Sequence, residues 1–589
     1  MKNFNKLCMV LIVCCALFQA CSKDNATKNN GGGGTTDTGT STGTIVQPTE
    51  PAIASTQGFF LDNWQAKTFT APATKTATKP AAAGATVVTV DLSKEITKVS
   101  GYIYGNNANP FMGPIATVPV LMGNISSLSP NIIRFPGGSL SDVYFWDQSS
   151  QAPTDAPAQL LDYQGNASAA DYWYGNSTAS FTMTVDNYYT VLQQTKSTGL
   201  ITVNYGYARY GTSANPVQTA AHYAANWVRY DKGRTKYWEV GNEIYGNWEA
   251  GYRIDPNANK DGQAQIQDGT TYGNHFKIFA DSMRAAAAQV GNTSIKIGIV
   301  VDGANDANAN VTEGQVNNWN ANVLTAAGNT ADFFVVHNYY TPYDQNSNAA
   351  TILGTPIAGT SDMMAWIKSS ASGAGVTQQP VAMDEWNIQS TGSSQMVSNV
   401  AGVHAVMVLG EALKNQISMS SRWDLANAWD NGDDMGMFNN SSANGGAEPN
   451  APDWNPRPAF YYMYYFQNYI GDHLVSTSSN DADIVGYGSS FSSGQAGVIL
   501  VNKGSGDHVV TVTFKNYAIG TKYYYYTLNG GTDNAPFSHK VYVNGVGPAG
   551  GSGGPATYTT IAANTANVQG GILVTVPANG AVYLVTDSK

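Results

Sequence analysis

The sequence predicts a (β/α)8 barrel followed by an all-β sandwich, and three observations support this. From about Val87 to Ile470, short apolar runs alternate with longer helical patterns, which is typical of a parallel sheet built from βα units. After about Leu474 the helical period disappears and strand-like runs lie between Gly and Asn turns. The chain has 589 residues, and a barrel with insertions takes about 250 to 400 of them.

Eight apolar runs are the predicted barrel strands, because they are short and rich in β-branched and aromatic residues. They cover 101–105, 131–135, 200–204, 237–241, 295–301, 333–337, 380–385 and 419–423. The helical patterns between them cover 217–230, 272–290, 397–415 and 459–470. The stretch Asp147–Thr184 has no clear period, so we expect a long loop at the mouth of the barrel.

The predicted sandwich takes residues 474–589, after a barrel domain of residues 86–473. Its strand-like runs cover 498–502, 509–514, 523–528, 540–543 and 572–576. An earlier run, Val87–Leu92, has the same character, and we expect it to add an edge to this sandwich.

The N-terminus has the pattern of an export signal. Lys2 and Lys6 precede an apolar run, Leu7–Phe18, which is too short to span a bilayer at about 20 residues but suits a signal peptide. The run ends at Cys21 in a segment that resembles a bacterial lipobox, so residues 1–20 are the predicted signal peptide and Cys21 the predicted lipidation site. An ordinary signal peptide with an incidental cysteine is the alternative.

Residues 21–85 are predicted to be a low-complexity tether and linker, since Gly, Thr, Ser and Asn dominate the part up to Glu50 and cannot form a core. A lipid and a tether would hold the folded body at a bacterial cell envelope, most simply at the outer membrane, facing either the periplasm or the exterior. All four cysteines lie in the first 21 residues, so the rest of the chain forms no internal disulfide.

Composition excludes several other functions. Charged residues make up 12% of the chain, and 30 Lys plus Arg against 41 Asp plus Glu give a net charge of −11, so nucleic acid is not an expected partner. The body has no cysteine and no His cluster with metal-ligand spacing, so we predict no cofactor and no catalytic metal. A structural calcium ion stays open as an alternative. The sequence does not indicate an oligomeric state.

Two glutamates close predicted barrel strands, where the chemistry of such barrels lies. Glu243 closes the fourth run and Glu385 the seventh, and these strands face each other across the barrel axis. Hydrolysis of a glycosidic bond needs such a pair, one protonated to serve as acid and one ionised to attack or shield the cationic carbon. We expect burial and its ionised neighbour to raise the pKa of the acid.

Four motifs resemble the clan A glycoside hydrolases, and within them the α-L-arabinofuranosidases of family 51. Gly241-Asn-Glu-Ile-Tyr-Gly-Asn-Trp248 resembles their Gly-Asn-Glu-x-x-Gly-x-Trp segment, and Asp384-Glu-Trp-Asn387 matches their Asp-Glu-Trp-Asn. Arg134-Phe-Pro-Gly-Gly138 and His337-Asn-Tyr-Tyr340 are similar to their motifs on strands two and six. The resemblance implies a retaining mechanism with Glu243 as acid/base and Glu385 as nucleophile.

The resemblance also implies supporting residues around the sugar. Asn242 would bond the 2-hydroxyl. Charge pairing with Arg134 at the end of strand two would hold Glu385 ionised, and an Arg134 buried against another carboxylate is the alternative. His337 with Tyr339 or Tyr340 would orient Glu385. Ser139 stands where the family usually has an Asn that helps to hold the sugar, so the subsite differs there. The candidates for an aromatic floor are Trp248, Trp386 and Trp423, with Trp146 as a further contributor from the long loop.

The predicted function is therefore a retaining glycoside hydrolase, α-L-arabinofuranosidase-like, on plant-type polysaccharide or its oligosaccharides. An endo-β-glucanase or xyloglucanase of the same clan is one alternative. A lipoprotein that binds glycans without cleaving them is another, although it would not need two catalytic glutamates. A long loop 147–184 that walls a pocket would favour exo action, and an open groove would favour endo action.

Overall fold

Eight parallel strands close into a barrel in the computed structural model, which describes residues 45–304, 318–391, 395–429, 435–440 and 448–589. Each strand pairs with the next, and the eighth pairs with the first. In chain order they are β1 Gly105–Asn107, β2 Ile132–Phe135, β3 Thr198–Val203, β4 Tyr237–Val240, β5 Lys296–Val300, β6 Phe333–Tyr339, β7 Val381–Asn387 and β8 Met419–Arg422. The predicted barrel is confirmed. The predicted signal peptide and Cys21 lie outside the described residues.

The first strand begins later than its apolar run indicated. The Ser100 hydroxyl accepts the backbone N–H of Tyr102 at 3.1 Å and starts a 3-10 helix, Gly101–Tyr104. A capping serine satisfies a backbone donor that would otherwise have no partner at the start of a helix. Extended backbone therefore starts only at Gly105.

Nine α-helices occur within the described ranges, and they include the four that the sequence predicts. They are α1 Pro119–Ser127, α2 Val185–Thr195, α3 Gly206–Tyr210, α4 Pro216–Asp231, α5 Gly269–Gln289, α6 Trp319–Ala327, α7 Ala349–Gly373, α8 Asn399–Lys414 and α9 Pro458–Tyr469. Several begin with a side-chain cap, as where Asp268 accepts the N–H of Thr271 at 2.7 Å. None of these helices is long and apolar enough to cross a membrane.

The segment before the barrel closes its N-terminal end. Phe60 packs on Tyr237 and Phe333, the first residues of β4 and β6, with ring centroids 5.2 and 5.5 Å away. The backbone N–H of Val381, where β7 begins, donates to Thr56 O at 2.8 Å. The prediction that residues up to 85 are only a linker is therefore wrong for this segment. Its Gly-Phe-Phe-Leu run is too short to show a periodic pattern.

The C-terminal domain is a single continuous sheet of eleven described strands. Its order is 74–76, 563–567, 519–530, 580–588, 496–502, 484–490, 473–479, 86–98, 508–515 and 572–576, with 541–543 paired to 519–530. Val574 at one end of this order and Tyr523 near the other lie in one buried core. The sheet therefore curls over into two packed layers, as the predicted sandwich requires.

The strand Thr86–Lys98 lies inside this sheet, not at its edge as expected. It pairs antiparallel with His473–Ser479 and parallel with His508–Lys515. Its inward residues Val88 and Val90 are fully buried. Sequence periodicity shows that a segment is a strand, but the order of strands depends on contacts far apart in the chain.

Candidate active site

The C-terminal end of the barrel brings the two predicted glutamates together. Glu385 lies on β7, and Glu243 follows β4. One carboxylate oxygen of each and a ring nitrogen of His337 all lie within 4.8 Å of one another. Paired carboxyl groups about 5 to 5.5 Å apart suit direct attack on the sugar, whereas about 6.5 to 9.5 Å leaves room for a water molecule. The nearest oxygens of this pair are thus closer together than the arrangement that leaves room for a water molecule.

Glu243 is positioned by a left-handed turn and three hydrogen-bond donors. Its φ is +43° and that of Gly241 is +79°, and such values occur in non-glycine residues mainly where the surrounding structure enforces them. Its Oε1 accepts from His337 Nδ1 at 2.9 Å and from the Tyr245 hydroxyl at 3.3 Å. Its Oε2 accepts from the Trp248 indole at 3.1 Å. The carboxylate is thus held in one orientation.

Arg134 lies at the centre of the site and is completely buried. Its Nη1 donates to Glu385 Oε2 at 3.0 Å, and its Nη2 donates to Asn242 Oδ1 at 2.8 Å. Nε and Nη2 also bind Glu239, at 3.2 and 2.5 Å. The structure therefore brings together Arg134, Asn242 and Glu385 as predicted, and adds Glu239, which sequence reasoning missed.

An irregularity in β7 lets two consecutive acidic side chains reach the same guanidinium group, that of Arg134. In a regular strand, neighbouring side chains point to opposite faces. Here both Asp384 and Glu385 approach Arg134, at 3.5 and 3.0 Å. The pairing of β7 with β8 shifts register between Met383 and Trp386, and such bulges redirect side chains next to active sites.

His337 has a different first partner from the expected one. Its Nδ1 lies 2.9 Å from Glu243 Oε1 and 3.6 Å from Glu385 Oε2. Its Nε2 lies 3.3 Å from Asp384 Oδ1. His337 therefore orients the predicted acid/base, whereas Tyr339 orients the predicted nucleophile, because its hydroxyl donates to Glu385 Oε1 at 2.6 Å.

The charges of the site set unequal proton affinities. Burial tends to lower the pKa of His337, but Glu385, Asp384 and Glu243 outweigh it and raise that pKa well above its ordinary value. Burial, assisted by the neighbouring carboxylate of Glu243, raises the pKa of Glu385 against the opposing effect of His337 and Arg134. For Glu243, burial is the largest single effect and raises the pKa, but the hydrogen bond and charge of His337, together with the hydrogen bonds from Trp248 and Tyr245, outweigh it and lower the pKa.

The expectation of a raised pKa for the acid is therefore wrong for this ligand-free structure. A cationic imidazole next to a carboxylate favours its ionised form. A cationic His337 carries a proton on Nδ1, 2.9 Å from Glu243 Oε1.

We expect His337→Asn to lower the melting temperature more at pH 6 than at pH 9. A histidine whose pKa is raised by folding stabilises the protein fully below its unfolded pKa of about 6.5, and this contribution is lost as pH rises through the folded pKa. His404→Asn is the matched control, because burial lowers the pKa of His404 to about 3 and leaves it neutral at pH 9 and mostly so at pH 6. The measurement is scanning calorimetry at both pH values. If His337→Asn lowered the melting temperature as much at pH 9 as at pH 6, this would contradict a cationic His337.

Asn242 is fixed on three sides, partly by two acids that sequence reasoning missed. Its backbone N–H donates to Asp142 Oδ2 at 3.0 Å, and its Nδ2 donates to Glu249 Oε1 at 3.0 Å. Ser139, exposed at the mouth, donates its hydroxyl to the same Glu249 oxygen at 2.8 Å. Glu249 directly follows the motif that ends at Trp248, and only this adjacency could have indicated it.

Two of the predicted tryptophans lie at the site. Trp248 is 47% exposed while its indole holds Glu243. The half-buried ring of Trp423 covers Gly137 and Gly138, whose φ angles are +64° and +66°. A Cβ atom on Gly138 would come within 2.4 Å of that ring, so only glycine fits beneath it.

Other predicted contacts are wrong for this structure, because these side chains are buried or have their contacts elsewhere. Trp386 follows Glu385 on the strand and is completely buried in the hydrophobic core. The Tyr340 hydroxyl contacts Thr360 of α7 at 2.8 Å. Trp146 stacks on Trp227 of α4 with ring centroids 5.7 Å apart.

The long loop 147–184 lies at the mouth of the barrel, as predicted. It contains a small hairpin, Gln159–Leu161 with Ala167–Ala169. Thr212 N donates to Asp155 O at 2.8 Å, and Arg253 Nε donates to Tyr163 O at 2.7 Å. These contacts attach the loop to the segments after β3 and β4, on the C-terminal side of the barrel.

Two groups of described residues come close enough together to ligate a metal ion. One is Glu243, His337 and Glu385, where Arg134 Nη1 also lies 3.0 Å from Glu385 Oε2. A second described group, Asp481, Asp483 and His508, lies on the sandwich, away from these residues.

Comparisons with solved structures find the same fold. The α-L-arabinofuranosidase of Thermotoga maritima, solved with arabinose, matches with a TM-score of 0.57 and 16% identity, covering 86% of this chain and all of that one. The family 51 α-L-arabinofuranosidase of Bifidobacterium longum matches with a TM-score of 0.56 and 14% identity, covering 87% of this chain and all of that one. A family 44 xyloglucanase of Paenibacillus polymyxa matches with a TM-score of 0.51 and 13% identity, covering 85% of this chain and 99% of that one.

No family model matches the sequence, and neither does any curated protein. The chain shares the barrel and β-domain architecture of these solved structures. The predicted resemblance to the clan A glycoside hydrolases, and within them to family 51, is confirmed at the level of the fold. At such low identities the likeness extends to the architecture and not to the activity.

Proposed function

We propose that this protein is a retaining glycoside hydrolase. The observation that carries the proposal is the pair Glu243 and Glu385, of which one carboxylate oxygen each lies within 4.8 Å of the other, at the C-terminal end of the barrel. The buried guanidinium of Arg134 and the hydroxyl of Tyr339 both bind Glu385. A glycan-binding protein without activity would gain nothing from this arrangement.

In the proposed mechanism, a carboxylate oxygen of Glu385 attacks the anomeric carbon while the bond to the leaving oxygen breaks. Glu243 gives that oxygen its proton, which it has taken from His337 Nδ1. Glu243, now ionised, then removes a proton from water, and the water oxygen displaces Glu385 from the glycosyl ester. Arg134 and Tyr339 hold Glu385 in place and stabilise its carboxylate when it leaves.

The substrate we propose is an arabinofuranoside on plant-type polysaccharide or its oligosaccharides. The Gly241–Trp248 and Asp384–Asn387 motifs and the likeness to arabinofuranosidase structures support it. An endo-β-glucanase or xyloglucanase is the second candidate. Ser139 in place of the family's Asn and the likeness to a xyloglucanase support that alternative.

A panel of aryl glycosides and plant polysaccharides tests the proposal. We expect release of 4-nitrophenol from its α-L-arabinofuranoside, and none from a Glu243→Gln, Glu385→Gln double variant. Rapid shortening of xyloglucan or β-glucan without action on the arabinofuranoside would favour the endo-acting candidate. If the protein bound polysaccharide but hydrolysed no substrate in the panel, this would contradict the proposed enzymatic function and favour a glycan-binding protein without activity.

We also propose that a lipid on Cys21 anchors the protein to the bacterial cell envelope, as the lipobox-like segment indicates. Cys21→Ser should move the full-length protein from the membrane fraction to the soluble fraction when cells are fractionated. Cys15→Ser is the matched control, because this cysteine lies in the apolar run and would be removed with the signal peptide. A Cys21→Ser protein that stayed membrane-bound would contradict the anchor.

A further inference from the structure

Glu249 is a buried acid next to the catalytic pair that the proposed mechanism does not use. It is 4% exposed, and its Oε1 accepts two hydrogen bonds, from Asn242 Nδ2 at 3.0 Å and from the Ser139 hydroxyl at 2.8 Å. These donors come from the ends of two different strands, β4 and β2. Glu249 is therefore the acceptor that joins the two loops beside Glu243.

The two donors occupy different levels of the site. Asn242 lies at its buried floor, where its Oδ1 accepts from Arg134, the residue that holds Glu385. Ser139 lies exposed at the mouth. An amide held at Oδ1 by Arg134 and at one Nδ2 hydrogen by Glu249 has a fixed plane. Its second Nδ2 hydrogen, which has no partner among the described residues, then points in one direction only.

A neutral Glu249 is suited to accepting the hydrogen bonds from Asn242 and Ser139. Burial raises its pKa well above the ordinary value, and the carboxylates of Asp142 and Glu243 add to the effect. A neutral carboxyl group can accept from both donors through Oε1 without placing another negative charge beside Glu243. An amide of the same shape could accept in the same way.

We propose that Glu249 is a positioning residue that fixes Asn242 and Ser139 for binding a sugar hydroxyl beside the scissile bond. The inference rests on the proposed glycosidase function. The family resemblance implies that Asn242, which directly precedes the acid/base, bonds the 2-hydroxyl, on the carbon next to the anomeric carbon. Glu249 thus acts on substrate recognition through two other side chains.

The test compares variants on a 4-nitrophenyl glycoside that the wild-type enzyme hydrolyses and on its 2-deoxy analogue. Loss of one buried hydrogen-bond acceptor is worth about 5- to 150-fold. We expect Glu249→Ala to lower kcat/KM on the parent glycoside within that range, and much less on the analogue, which lacks the hydroxyl. Glu249→Gln keeps the acceptor and should restore most of the activity. Should the alanine variant not fold, Glu249→Met removes the acceptor while keeping the volume.

Glu411→Gln is the matched control, since Glu411 is equally buried but lies on α8 and bonds Tyr487; its kinetics should be unchanged. Equal losses on the two glycosides, or a Glu249→Gln variant as impaired as Glu249→Ala, would overturn the positioning role while the enzyme itself stayed active. A wild-type protein without activity on any glycoside would overturn the proposed function, and this inference with it.

Discussion

Glu385→Ala is expected to lower kcat by more than about 10⁴-fold on every substrate, as removal of a catalytic nucleophile does elsewhere. The reason is that no other described carboxylate lies in its place. Asp384, the nearest in sequence, is fully buried and faces Arg134 and His337. A smaller loss on activated aryl glycosides is not expected, because every leaving group departs as the glycosyl ester to Glu385 forms.

Azide separates this role from a merely structural one. A small anion can enter the space left by the Glu385 side chain and attack the anomeric carbon from the same face. The variant should then form a glycosyl azide of inverted configuration, detectable by NMR. Glu411→Ala is the control for loss of a buried acid, and we expect it to keep its activity without azide. An active Glu385→Ala enzyme would contradict the assignment.

Glu243→Ala is expected to show a loss that depends on the leaving group. Removal of a general acid reduces the rate by about 10²- to 10⁴-fold, and the larger figure applies to natural sugar leaving groups. A dinitrophenyl glycoside needs little protonation, so the variant should still form the glycosyl ester rapidly from it. Breakdown of the ester would then be slow, because no base activates water.

Azide should rescue Glu243→Ala with a product of retained configuration, since it attacks the ester from the side that Glu243 occupied. The matched comparison is Tyr245→Phe, which removes only one of the three donors to Glu243 and should change the rate far less. A glycosyl azide of retained configuration from Glu385→Ala and of inverted configuration from Glu243→Ala would reverse the roles of the two glutamates.

Local patterns were enough to predict the barrel and its two glutamates. The eight apolar runs are each continuous in sequence, and Glu243 and Glu385 close two of them. Helix α7 was missed because Pro356 and many Gly, Ser and Thr residues obscure its period. The buried acids Glu239, Asp142 and Glu249 were missed because a buried carboxylate looks like any solvated one in a sequence.

The errors at the site arise from side-chain direction. Tyr339 reaches Glu385 whereas its neighbour Tyr340 faces α7, and Glu385 faces the axis whereas Trp386 faces the core. Register shifts in β6 and β7 decide which neighbour points inward. Such irregularities depend on pairing between distant strands, so a motif can identify a pair of adjacent residues without telling which one faces the substrate.

The position of the strand Thr86–Lys98 has a consequence for how the chain is made. Its two neighbours, His473–Ser479 and His508–Lys515, leave the ribosome only after the whole barrel has been synthesised. Until then Val88 and Val90 lack the core that buries them, and an unpaired apolar strand is prone to aggregate. A fragment that ends at residue 473 would keep this hazard permanently, so we expect neither domain to be separable by cutting the chain between them.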